Sequence, residues 1–164
     1  MSSSTINPYG IFLLRFDGGC NPTNPGPAAG GCVLYQNRKI IRKVGTFIGS
    51  ATNNQAEYTG LINGLELCIS LGIKRVKVEG DSMLVIKQMK GEYNCSSENL
   101  RELYTKAQLL LRKFEKIDFN HIYRDKNSES DEICNQCIDN KSNLEYPKVH
   151  QLTNTNGLTI RFID

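Results

Sequence analysis

Four acidic residues spread along the chain carry its most specific chemical signal: Asp17, Glu57, Asp81 and Asp131. Asp17 follows an apolar run, Ile11-Phe12-Leu13-Leu14, interrupted only by Arg15, and precedes Gly18-Gly19. The run predicts a buried strand that Asp17 ends, and the glycines let the backbone turn and leave the carboxylate uncrowded. Glu57 falls in the first turn of a helix expected over 55–71. Asp81 closes a short strand, Val76-Lys77-Val78-Glu79-Gly80, and Asp131 opens a last helix after the polar loop 124–130. Taken singly, each is an ordinary acid near a helix start. Taken as a set at element ends, the other three are expected to converge on Asp17 along one edge of a sheet. Four clustered carboxylates repel one another and protonate unless cations neutralise them. Hard oxygen ligands without Cys or His select Mg²⁺ or Mn²⁺. Two such ions, roughly 3.5–4 Å apart, suit the attacking and leaving oxygens of a phosphodiester.

The elements that must position these acids follow from periodicity. Strands are expected at 11–16, 29–36 and 40–47, with a short turn, Asn37-Arg38-Lys39, making the last two antiparallel. The helix 55–71 carries apolar residues at helical spacing (Ala56, Leu61, Leu65, Cys68, Ile69) and ends at Gly72. Gly60 and Gly64 sit inside it, each costing about 1 kcal/mol relative to Ala, which close packing of the helix on the sheet would offset. The strand at 76–81 then follows a crossover and lies parallel to a strand of the meander. A short helix at 82–89, a longer one at 99–115, a strand at 117–123 and a helix at 131–139 complete the set. Residues 1–10 are polar and expected to fray, and 140–164 read as a tail whose late apolar stretch, 157–163, could add a strand.

The bulk numbers bound the class without deciding it. A chain of 164 residues with 39% hydrophobic content is enough for one domain with a core. A net charge of +3 permits a nucleic-acid partner but does not demand one. The positive charge concentrates in the middle third, from Lys74 to Lys116. There is no signal-peptide pattern in the first ten residues, so the six cysteines are expected reduced and the chain intracellular. Cys134-x-x-Cys137 has no second Cys/His pair at ligand spacing and reads as packing on a helix. No apolar run approaches the roughly 20 residues of a membrane span.

With the motifs in hand, the sequence resembles the type 1 ribonuclease H family. The likeness rests on F-D-G-G-C-N-P at 16–22, T-N-N-Q-A-E-Y at 52–58, V-E-G-D-S at 78–82 and R-D-K-N-S-E-S-D at 124–131. Gln88-Met89-x-Gly91-x-Tyr93 and the helix bearing Leu100, Tyr104 and Ala107 add to it, and the likeness covers about 11–139. It implies an α/β fold, a five-stranded mixed sheet with helices on both faces. It implies Asp17, Glu57, Asp81 and Asp131 as ligands of two Mg²⁺ ions (Mn²⁺ being possible), with Asp17 bridging both. The implied reaction cuts the RNA strand of an RNA–DNA hybrid to 3′-hydroxyl and 5′-phosphate ends; separately from the resemblance, a monomer is expected. Asn53, Asn54 and Gln55 match the family's minor-groove contacts, although capping of the helix start is the other reading of them. The backbone of Gly18, Gly19 and Cys20 matches its contacts to the 2′-hydroxyl, the group that separates RNA from DNA.

The chain also departs from the family. The loop 124–130 has no histidine; Arg124 and Asn127 match the branch that lacks one and are expected as substrate contacts, Arg124 supporting the scissile phosphate or else pairing with a nearby carboxylate. His121 lies in an expected strand, where a structural role is expected, and Ser130 stands where relatives carry alanine. The extra basic helix of some relatives is missing, so weaker and salt-dependent binding is expected. The alternative is a catalytically silent nucleic-acid-binding domain of the same fold, a reading that loss of one acid would have favoured; all four are present.

Overall fold

A computed structural model describes residues 10–147, together with the backbone of two short strands beyond them. The expected frayed N-terminus, 1–9, lies outside the described residues. Three long strands open the chain: β1 (Phe12–Cys20), β2 (Gly26–Gln36) and β3 (Lys39–Ala51). Each pairs antiparallel with the next, with Asp17 opposite Gly31 and Gly31 opposite Gly45. Helix α1 (Asn53–Ser70) then crosses over to β4 (Arg75–Gly80), which lies parallel to β1 with Phe16 opposite Gly80. Helices α2 (Met83–Met89) and α3 (Glu98–Leu111) lead to β5 (Lys116–His121), parallel to β4. Helix α4 (Ser128–Asn140) and β6 (Leu144–Tyr146) follow.

The main sheet has six strands in the order β5-β4-β1-β2-β3-β6, where the sequence resemblance implied five. The added strand is β6, which pairs antiparallel with Lys43–Gly45 of β3. It is three residues long, too short to show an alternating pattern. Of the late apolar stretch, the described part forms β8 (Thr159–Ile163), which pairs with β7 (Val149–Thr153) in a separate two-stranded sheet.

Helices cover both faces. On one, α1, α2 and α3 enclose a core of Phe12, Leu14 and Phe16 from β1 with Leu61 and Leu65 from α1, Val78 from β4 and Val85 from α2. On the other, Ile133, Cys134, Cys137 and Ile138 of α4 pack on Ala29 and Val33 of β2. Helix α1 begins with a capping box: Thr52 Oγ1 accepts from the Gln55 amide, and Gln55 Oε1 accepts from the Thr52 amide. It ends at Gly72, whose φ of +76° suits glycine.

The interior glycines of α1 meet the expectation of close packing. A Cβ on Gly60 would lie 2.3 Å from the Asp17 carbonyl oxygen and 2.8 Å from that of Gly31. The helix therefore touches the strand backbone directly beneath the acidic residues. Gly60→Ala adds a better helix former, yet the methyl has no room against rigid backbone. The variant is expected to melt about 2–12 °C lower, given overpacking costs of ~1–3 kcal/mol and roughly 2–4 °C per kcal/mol. A thermal melt that shows an unchanged or raised Tm would contradict so close an approach.

Candidate active site

The four acids come from four elements that meet at one end of the sheet. Asp17 lies within β1, three residues short of its end, rather than closing it as expected. The strand continues through Gly18 and Gly19 because α1 passes over them. A Cβ on Gly18 would lie 2.1 Å from the Ala56 carbonyl carbon and 2.3 Å from the Glu57 nitrogen. Glu57 is the fifth residue of α1, two residues further in than expected, because the helix begins at Asn53. Asp81 directly follows β4, and Ser82 takes the capping role at α2 by accepting from the Val85 amide at 3.2 Å, which frees the Asp81 carboxylate. Asp131 is the fourth residue of α4 rather than its first.

Asp17, Glu57 and Asp81 each offer a carboxylate oxygen, and these oxygens lie within 4.8 Å of one another. Asp131 lines the same cleft, of about 350 Å³, without belonging to that tight group. Its Oδ2 accepts from Asn135 Nδ2, one turn along α4, at 3.4 Å. Asn135 was not anticipated; its signal is the four-residue spacing that puts both on one helix face.

Asp17 and Glu57 are almost closed off from water, at 6% and 7% exposure. Burial pushes the Asp17 carboxyl from its usual 3.8 up to about 7; a hydrogen bond from Glu57 works against that rise, and the charges of Asp81 and Asp131 add to it. Burial also drives Glu57 well above its ordinary value, and the Asp17 charge drives it further. Without a cation the pair behaves as one coupled unit that retains a proton near neutral pH. Arg124 is the one basic side chain among those lining the cleft, against four acids. Glu57 Oε2 is buried with no hydrogen-bond partner. A buried carboxylate oxygen without a donor, aimed among other carboxylates, fits a hard divalent cation.

The residues matched to substrate contacts divide into two groups. Gly18, Gly19, Cys20, Asn53, Asn54 and Arg124 line the cleft. Asn53 is braced: its Oδ1 accepts from the Cys20 amide at 3.0 Å and from Cys20 Sγ at 3.1 Å, leaving Nδ2 as its remaining group. Gln55 is not among the lining residues. Its side chain closes the capping box and donates to the Asn99 carbonyl, so capping accounts for it. Asn127 is also absent from the lining, at 1% exposure. His121 ends β5 and packs edge-on against Tyr123, away from the cleft lining. The loop from Lys90 to Ser97 joins α2 to α3 with no helix between them. All six cysteines are free; burial pushes the Cys134 and Cys137 thiols up and makes them packing groups. Among the described residues no helix is long and apolar enough to cross a membrane.

Known proteins resemble this chain in sequence and fold. A family model described as reverse transcriptase-like matches residues 15–137. A ribonuclease HI of Halobacterium salinarum is 39% identical over 125 residues, covering 76% of this chain and 62% of the relative. A bifunctional protein of Mycobacterium tuberculosis is 36% identical over 129 residues, covering 77% of this chain and 35% of that protein. The chain thus spans about a third of the mycobacterial relative's length. Among solved structures, the RNase H1 of Halobacterium salinarum superimposes with a TM-score of 0.76 at 38% identity, covering 80% of this chain and 99% of that one. The N-terminal RNase H domain of the mycobacterial protein gives 0.76 at 35%, covering 80% and 95%. LC11-RNase H1, solved in complex with an RNA/DNA hybrid, gives 0.75 at 33%, covering 79% and 98%. With its acids gathered on a six-stranded mixed sheet between two helical layers, the chain belongs to the type 1 ribonuclease H family.

Proposed function

We propose that this chain is an endoribonuclease that hydrolyses the RNA strand of RNA–DNA hybrids with two divalent cations, Mg²⁺ in the first instance. The products are 3′-hydroxyl and 5′-phosphate ends. The observation that carries the reading is the carboxylate group of Asp17, Glu57 and Asp81, with Glu57 Oε2 buried and unpartnered. A nucleic acid is a polyanion, and an uncompensated acidic cleft would repel it. Asp17, Glu57, Asp81 and Asp131 would hold the cations. When bound, these supply positive charge to the attacking and leaving oxygens of an in-line displacement.

The chain's own residues supply recognition and order. Asn53 Nδ2 and the Asn54 side chain face the cleft as donors for the base-edge acceptors of a minor groove. The wall formed by Gly18, Gly19 and Cys20 is where the 2′-hydroxyl of RNA would lie. Arg124 offers a guanidinium fork to a phosphate. Asp17 and Glu57, held by β1 and α1 in fixed contact, keep their charges in place as the substrate enters.

Incubation with a labelled hybrid, beside matched double-stranded RNA and double-stranded DNA, tests the reading. Cleavage should be confined to the RNA of the hybrid and require Mg²⁺ or Mn²⁺. Asp17→Asn should lose more than the ~10–100-fold typical of partners that touch a metal ligand from outside. Hybrid binding without cleavage under both ions would assign the chain as a silent binding domain.

The electrostatics make a second, independent prediction. The folded Asp17 binds its proton more tightly than the unfolded one, so between about pH 4 and 7 the folded state holds the extra proton. Cation-free stability should therefore fall as pH rises through that window. In EDTA at pH 7.5, Asp17→Asn should melt several degrees above the wild type, at roughly 2–4 °C per kcal/mol. The advantage should shrink towards pH 5, and Mg²⁺ should raise the wild type more than the variant. A wild type indifferent to both pH and Mg²⁺ would contradict this account.

A further inference from the structure

We infer that Asn127 is a positioning residue that sets the geometry of the acidic cluster, rather than a substrate contact. The inference rests on the metal-binding reading of the cleft given above. Asn127 is buried at the start of α4, and its Nδ2 donates to the Phe16 carbonyl at 2.8 Å and to Asp81 Oδ2 at 3.2 Å. The Phe16 carbonyl can only accept, which fixes the amide orientation: the atom facing it must be the NH₂ group. The Asn127 backbone carbonyl accepts from the Asp131 backbone amide at 3.1 Å, the first bond of α4. One residue is therefore bonded to the strand beside Asp17, to the side chain of Asp81 and to the backbone of Asp131.

The residue forgoes other uses of its side chain. Asparagine at the start of a helix ordinarily caps it, yet the Asn127 side chain makes no capping bond to α4. Its Oδ1 is buried without a partner. The amide is thus held for its two donor bonds alone. Those bonds join three elements that share no local sequence, at the point where the β1–β4 pairing ends with Phe16 opposite Gly80. Asp81 lies in the two-residue connection between β4 and α2, and among the described residues the Asn127 amide is the side-chain donor to its carboxylate. A donor that takes one lone pair of Oδ2 turns the rest of the carboxylate toward Asp17 and Glu57. Hydrogen bonds of this kind orient ligands for a metal and tune its affinity.

Mn²⁺ titration by calorimetry, with kcat and KM for a labelled hybrid, tests the assignment in the wild type, Asn127→Ala and a control, Ser130→Ala. Ser130 is a buried neighbour on α4 with no recorded bond to the cluster. Asn127→Ala should bind Mn²⁺ about 10–100-fold more weakly and lose kcat by a similar factor, with KM nearly unchanged. Ser130→Ala should keep both Mn²⁺ affinity and kcat. Unchanged Mn²⁺ affinity and kcat in Asn127→Ala, with a raised KM, would make it a substrate contact and overturn the inference. Equal losses in Ser130→Ala would reduce the effect to general packing of α4 and also overturn it. Wild-type protein that binds no Mn²⁺ would overturn the metal reading and this inference together. If Asn127→Ala does not fold, NMR of the wild type decides. Side-chain amide protons of Asn127 that exchange slowly and shift on Mg²⁺ addition support the assignment. Fast exchange, or a response to hybrid alone, refutes it.

Discussion

Two nearly buried carboxylates held together without a counter-charge are the constraint around which this molecule is built. Asp17 and Glu57 belong to different elements, and they meet because α1 lies directly on the backbone of β1. The bare Cα atoms of Gly18 and Gly60 permit that approach. Charge confined to so small a volume is unfavourable on its own terms, so the surroundings must be rigid enough to resist it. The long antiparallel strands and the two helical layers provide that rigidity. The fold holds an arrangement that a flexible chain would relax away, and a retained proton relieves its repulsion in the absence of other positive charge.

Much of this was legible in the sequence because the relevant signals are local. Asp17, Glu57 and Asp81 stand in short motifs whose neighbours mark a strand and two helix starts, and the three converge. The parallel crossover from α1 to β4 followed from order alone. The close packing of Gly60 followed from the cost of a glycine within a helix, which needs a reason. What failed were inferences that depend on how far an element runs. Gly18 and Gly19 read as a turn, because a glycine pair usually makes one. In fact they extend β1 and leave room for a helix above.

Long-range bonds were not legible at all. Nothing beside Asn127 tells that its amide reaches Phe16 and Asp81, at separations of 111 and 46 residues. Gln55 and Asn53 look alike in the motif at 52–58, yet one closes a helix cap and the other faces the cleft. The difference is set by their two-residue spacing, about half a helical turn, which places Gln55 toward α3 and Asn53 toward the end of β1 at Cys20. Residue type told what these amides can donate and accept; only the assembled chain told to whom.

The sixth strand bears on the behaviour of the sheet's margins. β3 is the longest strand, with thirteen residues, and unpaired backbone along such a strand is a template for strands of other molecules. β6 occupies Lys43–Gly45 at its middle, and Lys43 is fastened there by Glu129 at 2.9 Å and by the Tyr146 ring. The opposite margin, β5, needs no such cover: it is six residues long and interleaves Lys116, Asp118 and Asn120 with its apolar positions. A chain cut before Leu144 would retain every acid of the cleft and still gain a sticky flank. Residues outside the cleft thus cover part of the sheet's edge.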